Sequence, residues 1–170
     1  MRINRAKDDA AGLAIAEALK ADQRVAQVAI RNANDGVSII AITDGAIAQM
    51  TNVLSRLAEL ASQSANGVYS NSQRSALALE FTALMSEVER IAYTTEFNGM
   101  KLLSGGGQVT FQVGFDGSSL SQITYSGVVA TLASMGLAPA DSSAHMYSIM
   151  GNTDIESQSA SRLALDAINA

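Results

Sequence analysis

The reactive side chains in this sequence are few, and their spacing speaks against catalysis. There is one histidine, His145, set in a Ser-rich stretch. A helical His-x-x-x-His zinc pair therefore cannot form. With no cysteine there is no thiolate nucleophile, no thiolate metal site and no disulfide framework. No Gly-x-Ser-x-Gly elbow occurs. Lys7-Asp8-Asp9 sets two carboxylates side by side. Adjacent helical residues point about 100° apart, so these do not make an acid/base pair. Acids near a helix start are accounted for by the helix dipole. "SGGGQ", residues 104 to 108, has the glycines of a phosphate cradle but lacks the following Lys-Ser/Thr. It opens onto a strand pattern, which makes it a flexible connector. The expectation is a protein that is not an enzyme and has no cofactor and no metal.

Composition narrows the class further. The 170 residues are 48% hydrophobic and 16% charged, enough for a core and too apolar for wholesale disorder. The net charge of −5, without a basic run, argues against general nucleic-acid binding. No run of about 18 uninterrupted apolar residues occurs, so no membrane span is expected. The start, "MRINRAKDDAAG", lacks the apolar core of a signal peptide. A single proline, Pro139, and a 5% aromatic share favour long helices.

The elements follow from periodicity. From Asn4 to Asn66 there is no proline. Ala26, Ile30, Ala33, Val37, Ile40, Asp44, Ile47, Met50, Leu54, Leu57, Ala61 and Ser64 step by fours and threes along this stretch. A turn at Asp35-Gly36 or Asp44-Gly45 would reset that phase, and it is not reset. One helix over 4–66 is predicted, with Gly67 as its left-handed cap. At ~1.5 Å per residue it would form a rod near 90 Å. Glycines at 36 and 45 would let another backbone come close. Asp44 falls on the seam, either as an exposed seam edge or as a polar group that sets register.

A second helix is expected over 72–95, capped by Asn71 or Ser72. Leu77, Phe81, Leu84, Val88, Ile91 and Thr95 form its seam. Matched seams and a short connection predict antiparallel, coiled-coil-like packing. The chain leaves that helix through Asn98-Gly99. Alternation at Val109, Phe111, Val113 and Phe115, then Leu120, Ile123 and Tyr125, predicts a β-hairpin over 108–126. Residues 127–154 carry only weak patterning. A third helical pattern, with Leu163, Leu165 and Ile168, occupies 155–170. The fold class expected is mainly α, as a single domain over 1–170.

These segments resemble a known family. "RINRAKDDAAGLAIAEAL", "RNANDGVSIIAITDGAI", "LSRLAELASQSANG" and "FNGMKLL" are similar to core segments of bacterial flagellin, in family order and spacing. "VTFQVG" resembles the strand that opens flagellin's hairpin, and "SASRLALDAINA" the start of its returning helix.

The resemblance implies a D1-like fold and a structural subunit of the flagellar filament. Such a subunit would serve motility, pass through the type III export machinery and assemble outside the cell with other copies. Set beside the family, the resemblance implies that the terminal segments forming its innermost coiled-coil layer, at both ends, and most of the returning helix are missing from this stretch. This stretch alone is therefore expected not to polymerise as a native filament, and its seam to be partly bare or covered by another copy. The resemblance also implies recognition by Toll-like receptor 5. Carried over by motif, the contact residues are Arg56, Leu60 and Glu87. Ala58 and Ser62 depart from the pattern of many sensed flagellins. The competing reading of Arg56 and Glu87 is a solvated charge pair on the subunit-to-subunit surface. A hook–filament junction protein and a flagellin-like surface adhesin are the alternatives in function.

Overall fold

The computed structural model describes residues 10–105, 107–135, 137 and 155–169. Helix α1 spans Ala10–Ala65 without a break. Both Asp-Gly pairs lie inside it, as the unbroken phase predicts. Helix α2 spans Asn71–Thr94 and helix α3 Gln158–Asn169. Two short antiparallel pairs complete the fold: β1 (Glu96–Phe97) with β2 (Met100–Lys101), and β3 (Val109–Gln112) with β4 (Gln122–Tyr125). The fold is mainly α, with a long helix, a second helix and small strand pairs. Residues 4–9, Pro139 and His145 lie outside the described residues, as does most of 127–154.

The chain divides into two compact units. The first holds α1 up to Ile40 together with residues 108–126. Here β3 and β4 pair in register from Val109↔Tyr125 to Gln112↔Gln122. The Asn32 amide donates to the Gln112 carbonyl at 2.9 Å. The Phe111 ring lies over Gly36, 3.5 Å from where a Cβ would be. It is thus an aromatic ring, not a backbone, that approaches Gly36, while nothing comes within 4 Å of a Cβ at Gly45. The apolar alternation ends with the strand. Phe115 and Leu120 lie in the loop and are exposed, against the expectation that they continue the buried face. That loop is held by Asp116, whose carboxylate accepts from the Ser118 amide and from the Ser118 and Ser121 hydroxyls.

The second unit holds residues 41–107 and 127–170. The connection between α1 and α2 is only Asn66 to Ser70. Arg74 near the start of α2 reaches the Asn66 carbonyl, and Glu80 further along α2 pairs with Arg56 further back on α1. That order of contacts makes the two helices antiparallel. Met50, Leu57, Leu60 and Ala61 from α1 and Phe81, Met85, Val88 and Ile91 from α2 are buried. Leu77, Leu84 and Thr95 are only half-buried, so the buried line of α2 leans toward Ala78, Met85 and Ala92.

The seam predicted for α1 is corrected before Met50. Ile40, Asp44 and Ile47 are exposed, whereas Ile39, Thr43 and Ala46 are buried. The expected line took two three-residue steps in succession, from Asp44 to Ile47 to Met50. The buried residues Ile39, Thr43, Ala46 and Met50 step instead by four, three and four. Pattern reading favours large apolar residues, but small ones occupy a helix face where neighbours come nearest. The exposed position of Asp44 agrees with the seam-edge reading, not with a buried register-setting group.

The caps also differ from expectation. Ser70 caps α2, in a capping box with Gln73. Gly67 is not left-handed; the glycines with positive φ are Gly99 and Gly105 among the described residues. The end of α1 is closed instead by side chains. Gln158 donates to the Ala65 carbonyl at 3.0 Å, and Arg74 to the Asn66 carbonyl at 3.0 Å. These satisfy carbonyls that a helix terminus leaves open.

After α2, Asn98 (φ 49°) and Gly99 (φ 77°) make the tight turn between β1 and β2. Two consecutive positive φ values are what a two-residue hairpin turn requires. Ser104 bridges Val129, and Ala130 donates to the Leu103 carbonyl. The buried Glu89 carboxylate accepts from the Leu132 amide at 3.0 Å. Helix α3 starts at Gln158, with the Ser157 hydroxyl accepting from the Ala160 amide. It buries Ser161 and Ala164, while Leu163 is exposed.

Candidate interaction surface

The site residues carried over by motif lie on α1 and α2 in the second unit. Arg56 is exposed and ties the two helices together. Its guanidinium donates to Glu59 Oε2 at 2.9 Å and to Glu80 Oε1 at 2.7 Å. Glu59 is one turn along α1, the spacing at which helical side chains meet. Hydrogen bonds from the guanidinium to Glu59 and then Glu80 favour its charged form and raise its pKa.

Glu87 pairs with Arg90, one turn along α2, through both carboxylate oxygens. The Arg90 hydrogen bond holds the Glu87 pKa below its ordinary value. Arg56 and Glu87 are therefore not each other's partners, which corrects the charge-pair reading. They do share a face: Glu87 stands seven residues after Glu80, nearly two helical turns, and so points the same way from α2.

Leu60 is placed differently. It is 0% exposed and belongs to the core between the helices. A four-residue step turns the helix about 40° past a full turn. At this edge that rotation carries the side chain from surface to interior. Arg56 and Leu60 are neighbours on the helix, but only Arg56 is offered to a partner.

Pattern reading missed Glu59, Glu80 and Arg90. The i,i+3 spacing of Arg56 with Glu59 and of Glu87 with Arg90 was legible. The Arg56–Glu80 pair was not, because it depends on how far α2 is shifted along α1. Ala58 and Ser62 stand on the same stretch of α1, lining an open depression with Ser55, Glu59 and Tyr69.

The first unit offers an apolar surface. Ile30, Val37 and Ile40 of α1 are each more than half exposed. Val37 and Ile40 line a cavity of about 150 Å³ with Gly36, Phe111, Ile123 and Tyr125. One window within α1 is long and apolar enough to cross a membrane by length and composition alone. It contains no run of about 18 uninterrupted apolar residues, and 22% of the window is buried. Among the described residues no three His, Asp or Glu side chains cluster as metal ligands.

The sequence of residues 1–108 matches the family described as "Bacterial flagellin N-terminal helical region". This chain belongs to the bacterial flagellin family.

Flagellin A of Vibrio anguillarum is 54% identical over 114 residues, covering 66% of this chain and 30% of that protein. Polar flagellin A of Vibrio parahaemolyticus is 45% identical over 136 residues, covering 79% of this chain and 36% of that protein. The chain thus spans about a third of the length of these flagellins. Among solved structures, flagellin of Bacillus cereus is similar with a TM-score of 0.65. That match is 22% identical and covers 82% of this chain and 73% of that one, a likeness of fold. FliC from Burkholderia pseudomallei matches with a TM-score of 0.53 at 36% identity, over 58% of this chain and 38% of that one.

Proposed function

We propose that this chain acts as a structural subunit of the bacterial flagellar filament, working by self-assembly and not by catalysis. The supporting observation is the flagellin match across residues 1–108, which covers α1, α2 and the first strand pair. In this reading the chain is one D1-like domain. It leaves the cell through the type III export machinery, and its extracellular partners are other flagellin copies. The apolar face of α1 at Ile30, Val37 and Ile40 suits packing against further helices. The charged face of Arg56 and Glu87 suits a neighbouring subunit and, in animals, Toll-like receptor 5. An exposed arginine beside an apolar core edge is a favourable anchor for a protein partner. Leu60 supports that face from beneath.

Immunogold microscopy with antibody raised against this chain tests the proposal on the source bacterium. Label along whole filaments is expected. Label confined to the hook junction would reassign the chain to a junction protein. Label on the cell surface beside bare filaments would end the assembly reading.

A further inference from the structure

The connection between α1 and α2 contains an Asn-Gly pair, Asn66-Gly67, exposed at both residues. Each carbonyl oxygen of Asn66 faces a donor. Its side-chain Oδ1 accepts from the Val68 amide at 3.2 Å. Its main-chain oxygen accepts from Arg74 Nη2 at 3.0 Å and from the Tyr69 amide at 3.4 Å. The Gly67 amide makes no hydrogen bond among the described residues. Arg74 is 4% exposed, and its guanidinium has no carboxylate partner among them. Nη2 bonds the carbonyls of Asn66 and Tyr69, while the buried Nη1 has no hydrogen-bond partner among the described residues. A buried cation in that position is short of counter-charge.

We propose that Asn66-Gly67 is a self-modification site that converts to an isoaspartyl linkage, with Arg74 directing the product. In the first step the Gly67 nitrogen loses its proton to solvent base and bonds to Asn66 Cγ. The bond from Cγ to the amide nitrogen breaks, and ammonia leaves with a proton from water. A five-membered succinimide remains. Negative charge builds on Oδ1 during this step, where the Val68 amide already points, in the manner of an oxyanion hole.

In the second step water adds to the main-chain carbonyl carbon of residue 66. Its bond to the Gly67 nitrogen breaks, the nitrogen takes a proton, and the carbon becomes a carboxylate. Charge now develops on the oxygen that Arg74 faces, which favours opening on this side over the side-chain side. The product carries its free carboxylate at the former main-chain carbonyl, against the guanidinium. The balance is asparagine and water in, isoaspartate and ammonium out. The isoaspartyl link adds a methylene to the main chain between α1 and α2 and turns the carbonyl that accepts from the Tyr69 amide into a charged carboxylate beside the chain. Conversion therefore alters the join between the helices as the protein ages.

Asn98-Gly99 is the internal comparison. It is the same dipeptide and equally exposed, but no donor reaches either Asn98 oxygen among the described residues. The whole chain is incubated at mildly alkaline pH, and the tryptic peptides Leu57–Arg74 and Ile91–Lys101 are followed by mass spectrometry that distinguishes aspartate from isoaspartate. The peptide with Asn66 is expected to convert roughly tenfold faster, as one oxyanion donor can readily supply. Its isoaspartate share should exceed that of the same protein incubated in denaturant. Gly67→Ala should slow the conversion, and Arg74→Met, whose tryptic peptide runs over 57–90, should lower the isoaspartate share with an unchanged circular dichroism spectrum. Equal rates in the two peptides, conversion at Asn71 in place of Asn66, or an isoaspartate share no higher than in denaturant would each overturn the proposal, and these readings need no variant.

Discussion

Ser161 on α3 and Ser64 on α1 meet hydroxyl to hydroxyl at 2.9 Å, both fully buried. Ser64 also donates to the Ile155 carbonyl at 2.6 Å. Ser161 lies 2.7 Å from the Ser157 carbonyl. Two small polar residues thus dock the third helix on the end of the first, where a pattern reading looks for leucines. Buried hydroxyls hold only while each has a partner. Ser64→Ala and Ser161→Ala should each destabilise by about 1 kcal/mol, read by urea denaturation. In the double variant the cost should fall short of the sum, because the two share one network. Strict additivity would mean the hydroxyls act independently.

Val88 is 0% exposed, whereas Leu84 is only half-buried on the same helix. Val88→Glu should cost several kcal/mol, roughly 3–5, by forcing a carboxylate into the helix interface. Leu84→Glu should cost less, since its carboxylate can turn toward water. Thermal melting by circular dichroism ranks the two. The reverse order would contradict the packing of α2 described above.

Arg56 and Leu60 separate recognition from stability. Arg56→Ala should leave the melting temperature nearly unchanged, as expected for exposed ion pairs. Leu60→Ala should cost about 2–5 kcal/mol because it empties a buried site. If the proposed receptor face is right, Arg56→Ala and Glu87→Ala lower Toll-like receptor 5 signalling with unchanged melting. Full signalling from both variants would remove this face from consideration.

Gly45 is a helical glycine with open space where a Cβ would be, while Gly36 lies beneath Phe111. Gly45→Ala should stabilise by about 1 kcal/mol through helix propensity alone. Gly36→Leu should displace Phe111 and loosen the β3–β4 hairpin, visible as loss of protection in amide exchange over residues 109–125. Unchanged protection would show that the ring does not depend on the glycine.

Asp116 gives a pH dependence. Hydrogen bonds from Ser121, then Ser118, hold its pKa below the ordinary carboxylate value. A depressed folded pKa means the clamp contributes fully above the unfolded value. It is lost as pH falls through the lower, folded one. In an NMR titration the Ser118 amide should move at a pH below the usual carboxylate range, and Asp116→Asn should abolish that movement. A midpoint at or above the ordinary value would exclude the clamp.

Much of the fold was legible in the chain itself, because it rests on local rules. Absence of proline and unbroken phase carried α1 through both Asp-Gly pairs. The Ser70-x-x-Gln73 box and the Asn98-Gly99 turn were written in short spacings, although the expectation placed the cap one or two residues late, at Asn71 or Ser72, and saw only an exit where a hairpin forms. The i,i+3 partners of Arg56 and Glu87 were equally open to inspection.

Other features depend on which segments meet, and no spacing encodes that. Periodicity assigns a side to a helix but cannot choose between Ile40 and Ile39, since one residue shifts the angle by only about 100° and an apolar stripe is as wide. Tertiary packing chose Ile39, Thr43 and Ala46. It also sent Leu60 inward, paired Arg56 with Glu80, and closed the end of α1 with Arg74 and Gln158 in place of a left-handed glycine. Local spacing determined the helices and turns; the long-range approach of one element to another decided which side chains remain available to a partner.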